Sequence, residues 1–403
     1  VLMGLSPIAG HHFGARKFRA IGEELNQSFW LSLVLMAVGV PLLLNTDFWI
    51  ELGGAKGEVA EMAAEFIRWT AFALPASLLG RCFIALNAAV SRPRITMWVS
   101  LGMLALKAPL NAVFMYGWLG FPAMGGGGAG ISFFVLSWLS LFAFLAIWKF
   151  DKFYRPMHVE KFVGPRWELL KNHLHVGVPM GLSTFFEVSS FTLMAIFISR
   201  LGEETVSAHQ IVANLTSMLY MVPLSLGIAS SVLISQSLGA RWPAVAEFIL
   251  RRTLKISIVI AAVLATLLYI FKGNVIALYT SDAGVAATAA ALVAFGCTYH
   301  VFDAMQAVSS FALRGYRVTR APMFIYGIML WGVGIGIGYQ LAFGAEWAGG
   351  PYGAFGFWGA TAVGLILTGL SLLAMALWVG RQRSRDEHHS PEEVERVIRE
   401  ARA

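Results

Sequence analysis

The sequence predicts an all-α integral membrane protein that crosses a lipid bilayer many times. Of its 403 residues, 57% are hydrophobic and only 13% are charged, which leaves too little polar surface to cover a water-soluble globule of this size. Ten complete apolar stretches follow a partial one at the start of the chain, and each is long enough to cross the hydrocarbon layer. A membrane barrel is excluded, because its strands would alternate apolar and polar residues with a period of two.

The elements follow from hydropathy read against the charged breaks between apolar stretches. The predicted spans lie near residues 25–45, 62–88, 95–117, 130–148, 174–199, 206–236, 253–271, 286–313, 322–343 and 357–380. A polar, basic segment divides them, so we expect an N-terminal lobe (1–148), a linker (149–172), a C-terminal lobe (173–380) and a tail (381–403). In the tail, Ser390 is expected to begin a short surface helix with an apolar stripe of Val394, Val397, Ile398 and Ala401.

Lysine and arginine are distributed unevenly between the two sets of alternate connections. One set, together with the tail, holds 24 of the 30 basic residues, whereas the other holds only Lys56, Arg200 and Lys272. Cytoplasmic loops retain positive charge, so we expect the first set and the C-terminus to lie in the cytoplasm. The net charge of +7 therefore reflects topology, and a nucleic-acid partner is not expected because the basic residues lie between spans.

Two short sequence similarities indicate an internal repeat. Gly14-Ala15-Arg16 recurs as Gly239-Ala240-Arg241, 225 positions later, and Ala85-Leu86 resembles Ala312-Leu313 at an offset of 227. Because both copies are expected on the cytoplasmic side, the halves are predicted to be parallel repeats with a pseudo-twofold axis along the membrane normal. The chain begins at Val1 within an apolar segment, and at least one further span is expected ahead of it.

Two acidic residues lie deep within predicted spans of the C-terminal lobe, Glu187 and Asp303. A carboxylate at the bilayer centre costs at least ~2.5 kcal/mol, so such a residue marks a functional site by default. Both lie at a similar depth from the cytoplasmic side and could meet near the midplane. Two facing carboxylates in a low dielectric must hold a proton or bind a cation, although a purely structural acidic pair between helices remains an alternative.

Further residues near this pair can supply cation ligands. Tyr299 precedes Asp303 by four residues and shares its helical face, offering a hydroxyl or a ring face to the same ion. Pro179 and Pro223 interrupt two helices of this lobe and can free backbone carbonyls. No other metal site is indicated, because Cys82 and Cys297 both lie inside apolar stretches.

Lys107 is a basic residue in the middle of a span, in Leu106-Lys107-Ala-Pro-Leu-Asn111. At that depth an ammonium needs an anionic partner or must lose its charge. We expect the partner to be a carboxylate on a span ahead of Val1. A packing role for Lys107 is the alternative.

Several segments resemble the multidrug and toxic compound extrusion (MATE) transporters, in particular their bacterial NorM-like branch. The resemblance runs along essentially the whole chain, and its strongest segments surround Glu187 (Pro179-Met-Gly-Leu-Ser-Thr-Phe-Phe-Glu187) and Asp303 (Phe302-Asp303-Ala-Met-Gln306). Pro109-Leu-Asn111 and Ser235-Gln236-Ser-Leu-Gly-Ala-Arg241 are also similar to the family.

The resemblance implies twelve spans in two six-helix lobes, of which the first span and part of the second are absent here. It implies that Glu187 and Asp303 coordinate Na⁺ or share H⁺, with Tyr299 and Tyr220 lining the ion site. It makes Gln210, Phe191, Asn111 and Lys107 candidate residues of the substrate cavity.

From composition alone, Tyr220 and Phe191 would be packing residues, and Gln210 and Asn111 would form hydrogen bonds between helices. Many relatives carry Asn where Lys107 stands, so ion coupling is expected in the C-terminal lobe.

The predicted function is efflux of small cationic, amphipathic compounds in exchange for Na⁺ or H⁺, by a monomer in a bacterial inner membrane that needs no cofactor besides the coupling ion. The alternatives are a flippase for lipid-linked oligosaccharides, which would need a basic cavity, and a membrane scaffold without transport activity. An intramembrane enzyme is not expected, because neither a His-Glu-x-x-His nor a Gly-x-Ser-x-Gly motif occurs.

Overall fold

The fold is described from a computed structural model of residues 1–54, 56–158, 163–344, 346, 349–385 and 393. The described residues form helices and turns, without a strand. In chain order the helices are α1 (Leu5–Gly14), α2 (Phe18–Leu44), α3 (Thr46–Gly53), α4 (Glu58–Ala89), α5 (Pro93–Tyr116), α6 (Gly125–Phe150), α7 (Trp167–Ile198), α8 (Glu203–Gly239), α9 (Pro243–Ala277), α10 (Ala283–Gly315), α11 (Arg320–Tyr326), α12 (Gly338–Phe343) and α13 (Gly353–Arg385). The predicted helix start at Ser390 and its apolar stripe lie outside the described residues.

Ten helical segments of the described chain are long and apolar enough to span a membrane, so the predicted multi-pass α-helical class is confirmed; one of them runs from Arg320 to Phe343 through α11 and α12. Each corresponds to one predicted span, and α1 corresponds to the partial stretch at the start. Most helices run further than their apolar stretch: α7 begins at Trp167 rather than near 174, and α9 reaches from Pro243 to Ala277 rather than from 253 to 271. Hydropathy locates only the apolar part, whereas backbone hydrogen bonds continue the helix into the polar flank.

The chain divides into two compact units, Val1–Gly177 and Val178–Ala403, and the boundary falls within α7. In the first unit, α4 makes its largest contact with α6 and also packs against α2. The hydrophobic core of this unit contains Leu5 of α1, together with Ile21, Phe83, Leu86 and Phe144. Gly128 on α6 allows the closest approach, because a Cβ there would lie 2.1 Å from the carbonyl oxygen of Phe114 on α5.

The turn after α6 is fixed against the end of α4 in the same unit. The Asp151 carboxylate accepts a hydrogen bond from the backbone N–H of Phe153 and forms an ion pair of 2.5 Å with Arg92. The Phe153 N–H, followed by the Arg92 guanidinium, holds the pKa of Asp151 below its usual range. Tyr154 is buried, which raises its pKa, and its hydroxyl donates to Asn87 Oδ1 at 2.6 Å.

In the second unit α10 is the central helix and packs against α8, α9 and α13. The core includes Trp358, Phe357 and Tyr326, each at most 1% exposed. An eleven-residue π-helix, Gly327–Ile337, continues α11 into α12. Its wider turns follow directly after Tyr326, in a segment that contains four glycines.

Four helix ends repeat one geometry and refine the predicted repeat. Arg16, Ser91, Arg241 and Arg317 all have φ between 56° and 63°. The N–H group of the residue after each one bonds back to a carbonyl five residues earlier, as Lys17 does to His12 and Trp242 does to Ser237. The first pair lies 225 positions apart, as predicted. The second pair, Ser91 and Arg317, is offset by 226 rather than 227, so the Ala85-Leu86 echo is one residue out of structural register.

Candidate functional site

The second unit places Glu187 of α7 beside α8 and α10. The Tyr220 hydroxyl donates to Glu187 Oε1 at 2.9 Å, and the Gln306 amide donates to the same oxygen at 3.3 Å. No described residue donates a hydrogen bond to Oε2. One carboxylate oxygen is therefore held by protein donors, while the other remains available to a cation or a proton.

Asp303 lies in the same cluster. Its side chain is 8% exposed, and it interacts electrostatically with Glu187 and with Tyr220. The structure therefore brings Glu187, Asp303 and Tyr220 together in one oxygen-rich region of the second unit, where Asp303 is buried and the other two are half-buried. Carboxylate and phenol oxygens are the hard ligands that suit Na⁺, and two nearby carboxylates in a low dielectric also suit a shared proton.

Tyr299 is 2% exposed and interacts electrostatically with Asp303, one turn further along α10. Its ring stacks on Trp358 with centroids 6.1 Å apart and an interplanar angle of 18°. Trp358 therefore covers one face of the Tyr299 ring.

Three residues of this cluster were not among the predicted site residues: Gln306, Tyr326 and Arg314. The Gln306 amide bridges Glu187 and the Tyr326 hydroxyl. Arg314 is 9% exposed, lies 4.2 Å above the Phe311 ring and interacts electrostatically with Glu187. Gln306 could have been found from its spacing of three residues after Asp303, which places it on a neighbouring part of the same helix face. Nothing in the sequence signals Tyr326.

Both predicted helix-interrupting prolines lie within continuous helices, Pro179 in α7 and Pro223 in α8. A proline has no N–H, so it leaves the carbonyl four residues earlier without its helical donor. For Pro223 this carbonyl belongs to Leu219, the neighbour of Tyr220. The helix therefore offers a backbone oxygen close in sequence to the donor that holds Glu187.

The predicted residues Lys107 and Asn111 lie together in the first unit, where both line a cavity of about 720 Å³ between α4, α5 and α6. Lys107 is in the middle of α5 and its side chain is exposed to this cavity. Arg81 of α4 lines the same cavity, and none of the lining residues is acidic.

Gln210 and Phe191 both lie in the second unit and have different surroundings. Gln210 is exposed and lines a shallow cavity of about 360 Å³ along α8 with Asn214 and Met218. Phe191 is half-buried and packs against the hydrophobic core. The structure thus leaves Gln210 accessible to a solute and gives Phe191 a packing contact.

A second buried acidic residue occurs in the first unit. Glu24 is 3% exposed, its Oε2 lies 2.7 Å from His173 Nε2, and its Oε1 lies 3.5 Å from His12 Nε2. The predicted span begins near residue 25 and therefore omits Glu24, although α2 begins at Phe18. Both histidine rings lie within ion-pair distance of this carboxylate, near the start of α2.

Comparisons with known proteins place these features in a family. The chain matches the family model described as MatE over residues 1–113 and 179–340. A protein of Aromatoleum aromaticum named "Probable multidrug resistance protein NorM" is 40% identical over 368 residues, covering 91% of this chain and 80% of that protein. A protein of the same name from Neisseria meningitidis serogroup B is 33% identical over 381 residues, covering 93% and 81%.

The fold is similar to those of solved MATE structures. The eukaryotic MATE transporter AtDTX14 superposes with a TM-score of 0.83 at 20% identity, covering 96% of this chain and 85% of that one. A MATE crystallised in complex with MaL6 gives a TM-score of 0.84 at 19% identity, covering 95% and 84%. At these identities the likeness concerns the fold.

Proposed function

This chain belongs to the MATE family of multi-pass membrane transporters and is not an enzyme, and from that premise we propose that it exports cationic, amphipathic compounds in exchange for Na⁺ or H⁺. The names of its relatives, multidrug resistance proteins, support efflux of several compounds. We place this activity in a bacterial inner membrane, with the C-terminus in the cytoplasm and a single chain as the transporting unit. The coupling ion is the only cofactor in the proposal.

The observation that carries the ion coupling is the half-satisfied Glu187 carboxylate beside Asp303. The hydroxyl of Tyr220 and the amide of Gln306 donate to Oε1, no described residue donates to Oε2, and the Asp303 carboxylate interacts electrostatically with Glu187. Binding of Na⁺ or H⁺ compensates charge that the low dielectric would otherwise penalise. The free energy of ion binding therefore depends on how closely these oxygens are held together.

Transport follows if this ion site and the substrate cavity change affinity in one conformational cycle. A ligand shifts an equilibrium between two states only by binding one state more tightly. In the proposed cycle, an ion from outside loads Glu187 and Asp303 and favours the state that releases the substrate. Substrate then binds from the cytoplasmic side and favours the state that releases the ion. Gln210, Phe191, Lys107 and Asn111 are the proposed substrate contacts.

The test is exchange in proteoliposomes that contain the full chain. Efflux of a fluorescent cationic dye is measured under a Na⁺ gradient and, separately, under a pH gradient, for wild type, Glu187→Gln and Asp303→Asn. We expect one of the two gradients to drive dye transport in wild type, and each variant to lose that response. Glu203→Gln is the matched control, because Glu203 lies exposed in the first turn of α8. Normal ion-driven exchange by both site variants would refute the proposed coupling.

A further inference from the structure

Glu24 of the first unit is a buried acidic residue that the proposed ion coupling does not use. It lies near the start of α2, where His173 of α7 donates from Nε2 to Glu24 Oε2 at 2.7 Å. His12 of α1 places its Nε2 3.5 Å from Glu24 Oε1. Each carboxylate oxygen therefore faces one imidazole, and the three side chains come from three different helices.

This cluster has the chemistry of a proton-binding site. An ionised carboxylate with two neutral imidazoles carries one negative charge, and one added proton makes the three groups neutral together. Burial penalises an uncompensated charge, and imidazole is the side chain that changes its charge near neutral pH. The side chain of His12 is 28% exposed and that of His173 is fully buried, so His12 is the ring that a proton from water reaches first.

The charged groups around the cluster leave Glu24 as the carboxylate that such a proton compensates. Its neighbour Glu23 accepts a hydrogen bond of 3.1 Å from Arg166 and lies 4.0 Å from Arg19. On the helices packed against α2, His11 adjoins His12 in α1, and the Cys82 thiol of α4 contacts the Ser32 hydroxyl. The titratable side chains that are exposed on the flanking segments are Lys17, Lys152, Arg155, Lys171 and His175.

α2 also holds the segment that leads into α7. Trp30 Nε1 donates to the carbonyl of Val163 at 3.1 Å, and the Gln27 amide donates to the carbonyl of Gly164 at 3.2 Å. The backbone N–H of Arg166 donates to Gln27 Oε1 at 2.9 Å. The histidine contact with Glu24 therefore extends a set of hydrogen bonds that already attaches the beginning of α7 to α2.

We propose that Glu24, His12 and His173 form a proton-binding site, and that the bound proton fixes the first turns of α7 to α1 and α2. The cluster lies at the helix ends that are predicted to face the cytoplasm, so it responds to cytoplasmic pH. A protonated imidazole bonds to a carboxylate more strongly than a neutral one. The attachment is therefore strong at low pH and weakens as the pH rises and the cluster releases its proton.

Hydrogen exchange tests the site without any transport. The purified full chain in detergent is exchanged at several values between about pH 5.5 and about pH 8, and the protection of residues 166–177 is corrected for the intrinsic pH dependence of exchange. In wild type we expect this protection to fall by roughly tenfold across the range, because one proton is released. In Glu24→Gln we expect no change with pH, since a neutral amide leaves no charge for the proton to compensate.

Two further variants make the result specific. His175→Gln is the matched control, because His175 is exposed on α7 two residues after His173, and it should keep the wild-type pH dependence. His12→Gln replaces the more accessible ring and should reduce the pH dependence, which provides a test even if Glu24→Gln folds poorly. Protection that does not change with pH in wild type, or that changes equally in wild type and His12→Gln, would overturn the proposal.

The consequence for transport rests on the proposed antiport. α7 continues into the second unit and carries Glu187, so a proton that fixes its first turns restrains the helix that bears an ion ligand. Dye exchange is measured while the pH on both sides is moved together, which keeps the driving gradient constant. We expect the maximal rate to fall as the pH falls in wild type and to lose this response in Glu24→Gln, with equal half-maximal ion concentrations in the two proteins.

The two readouts separate the possible failures. A merely structural role of Glu24 would lower the rate of Glu24→Gln by the same factor at every pH, and that result would refute the restraint on α7. Absence of ion-driven exchange in wild type, together with pH-dependent protection, would count against the proposed antiport and support the proton site.

Discussion

The two carboxylate oxygens of Glu187 differ in their surroundings: Oε1 accepts hydrogen bonds from protein donors, whereas Oε2 accepts none from the described residues. Tyr220 and Gln306 both donate to Oε1, and Gln306 also contacts the Tyr326 hydroxyl, so three helices contribute to its orientation. A side chain that is held before an ion arrives loses less conformational freedom when the ion binds. The hydrogen bond from Tyr220 should therefore affect the affinity for the coupling ion.

We predict that Tyr220→Phe shifts the apparent affinity for the coupling ion by about tenfold, because a hydrogen bond to a charged group contributes ~1.5–3 kcal/mol. The affinity falls if the ion is Na⁺, since its ligand is no longer held in place, and rises if the ion is H⁺, since the charged carboxylate loses a donor. The measurement is the ion concentration that gives half-maximal dye exchange in proteoliposomes. Tyr269→Phe is the control, since Tyr269 is 51% exposed on α9 and its ring faces Lys272. An unaltered half-maximal concentration in Tyr220→Phe would show that this hydroxyl does not organise the site.

The sequence alone identifies the acidic pair of the ion site, but it does not identify all the polar groups around that pair. Glu187 and Asp303 stand out because a carboxylate in an apolar stretch is costly and rare. Tyr326 has no such signal, because a tyrosine in a span is ordinary packing until another helix brings a polar partner to it. Glu24 was missed because hydropathy ends the span at the first charged residues, whereas the helix continues to Phe18.

At the scale of elements, the turns are more regular than the sequence suggests. Four helices end on a non-glycine residue in the left-handed region, at Arg16, Ser91, Arg241 and Arg317. Glycine is the usual residue at this position, since a Cβ there crowds the following carbonyl. The backbone geometry repeats in both units although only one pair keeps a recognisable Gly-Ala-Arg sequence, and for this reason the repeat gave only a weak sequence signal.

We predict that Arg241→Gly stabilises the second unit and that Arg241→Ala does not. Arg241 is exposed with φ of 63°, and glycine removes a steric cost of about 1 kcal/mol that alanine retains. Thermal unfolding in detergent, monitored by circular dichroism, compares the two variants at the same position with the same loss of charge. Equal melting temperatures for the glycine and alanine variants would contradict the strain argument.

Helix packing around the ion site depends on a close backbone contact between α13 and α10. A Cβ at Gly369 would lie 2.6 Å from the carbonyl oxygen of Phe302, the residue before Asp303. We predict that Gly369→Ala lowers the melting temperature and weakens ion-driven exchange, because α10 must move by several tenths of an ångström. Gly273→Ala in α9 is the control, since a Cβ there meets nothing within 4 Å and alanine favours the helix by about 1 kcal/mol. Equal stability of the two variants would contradict the packing argument.

For the whole molecule, the sequence predicts the number and order of the spans far better than their ends. Ten apolar stretches correspond to ten helices because burial in lipid leaves the backbone few other ways to satisfy its hydrogen bonds. The cavity of Lys107 and Arg81 could not be foreseen in the same way, since the two residues lie on different helices and only packing of α4, α5 and α6 places them together. The distribution of basic residues between the connections predicts one further property of the whole molecule, its orientation in the membrane.

Orientation can be measured from two loop lysines on opposite sides of the predicted topology. Lys152 follows α6 in the basic set of connections, and Lys56 precedes α4 in the other set; both are exposed. Because basic loops are retained in the cytoplasm, we predict that Lys152→Cys reacts with a membrane-impermeant maleimide only in inverted vesicles, and Lys56→Cys only in intact cells. A Cys297→Ala background removes the half-buried native thiol, while Cys82 is buried. The opposite labelling pattern would show that the protein has the opposite orientation in the membrane, and the proposed export would then be import.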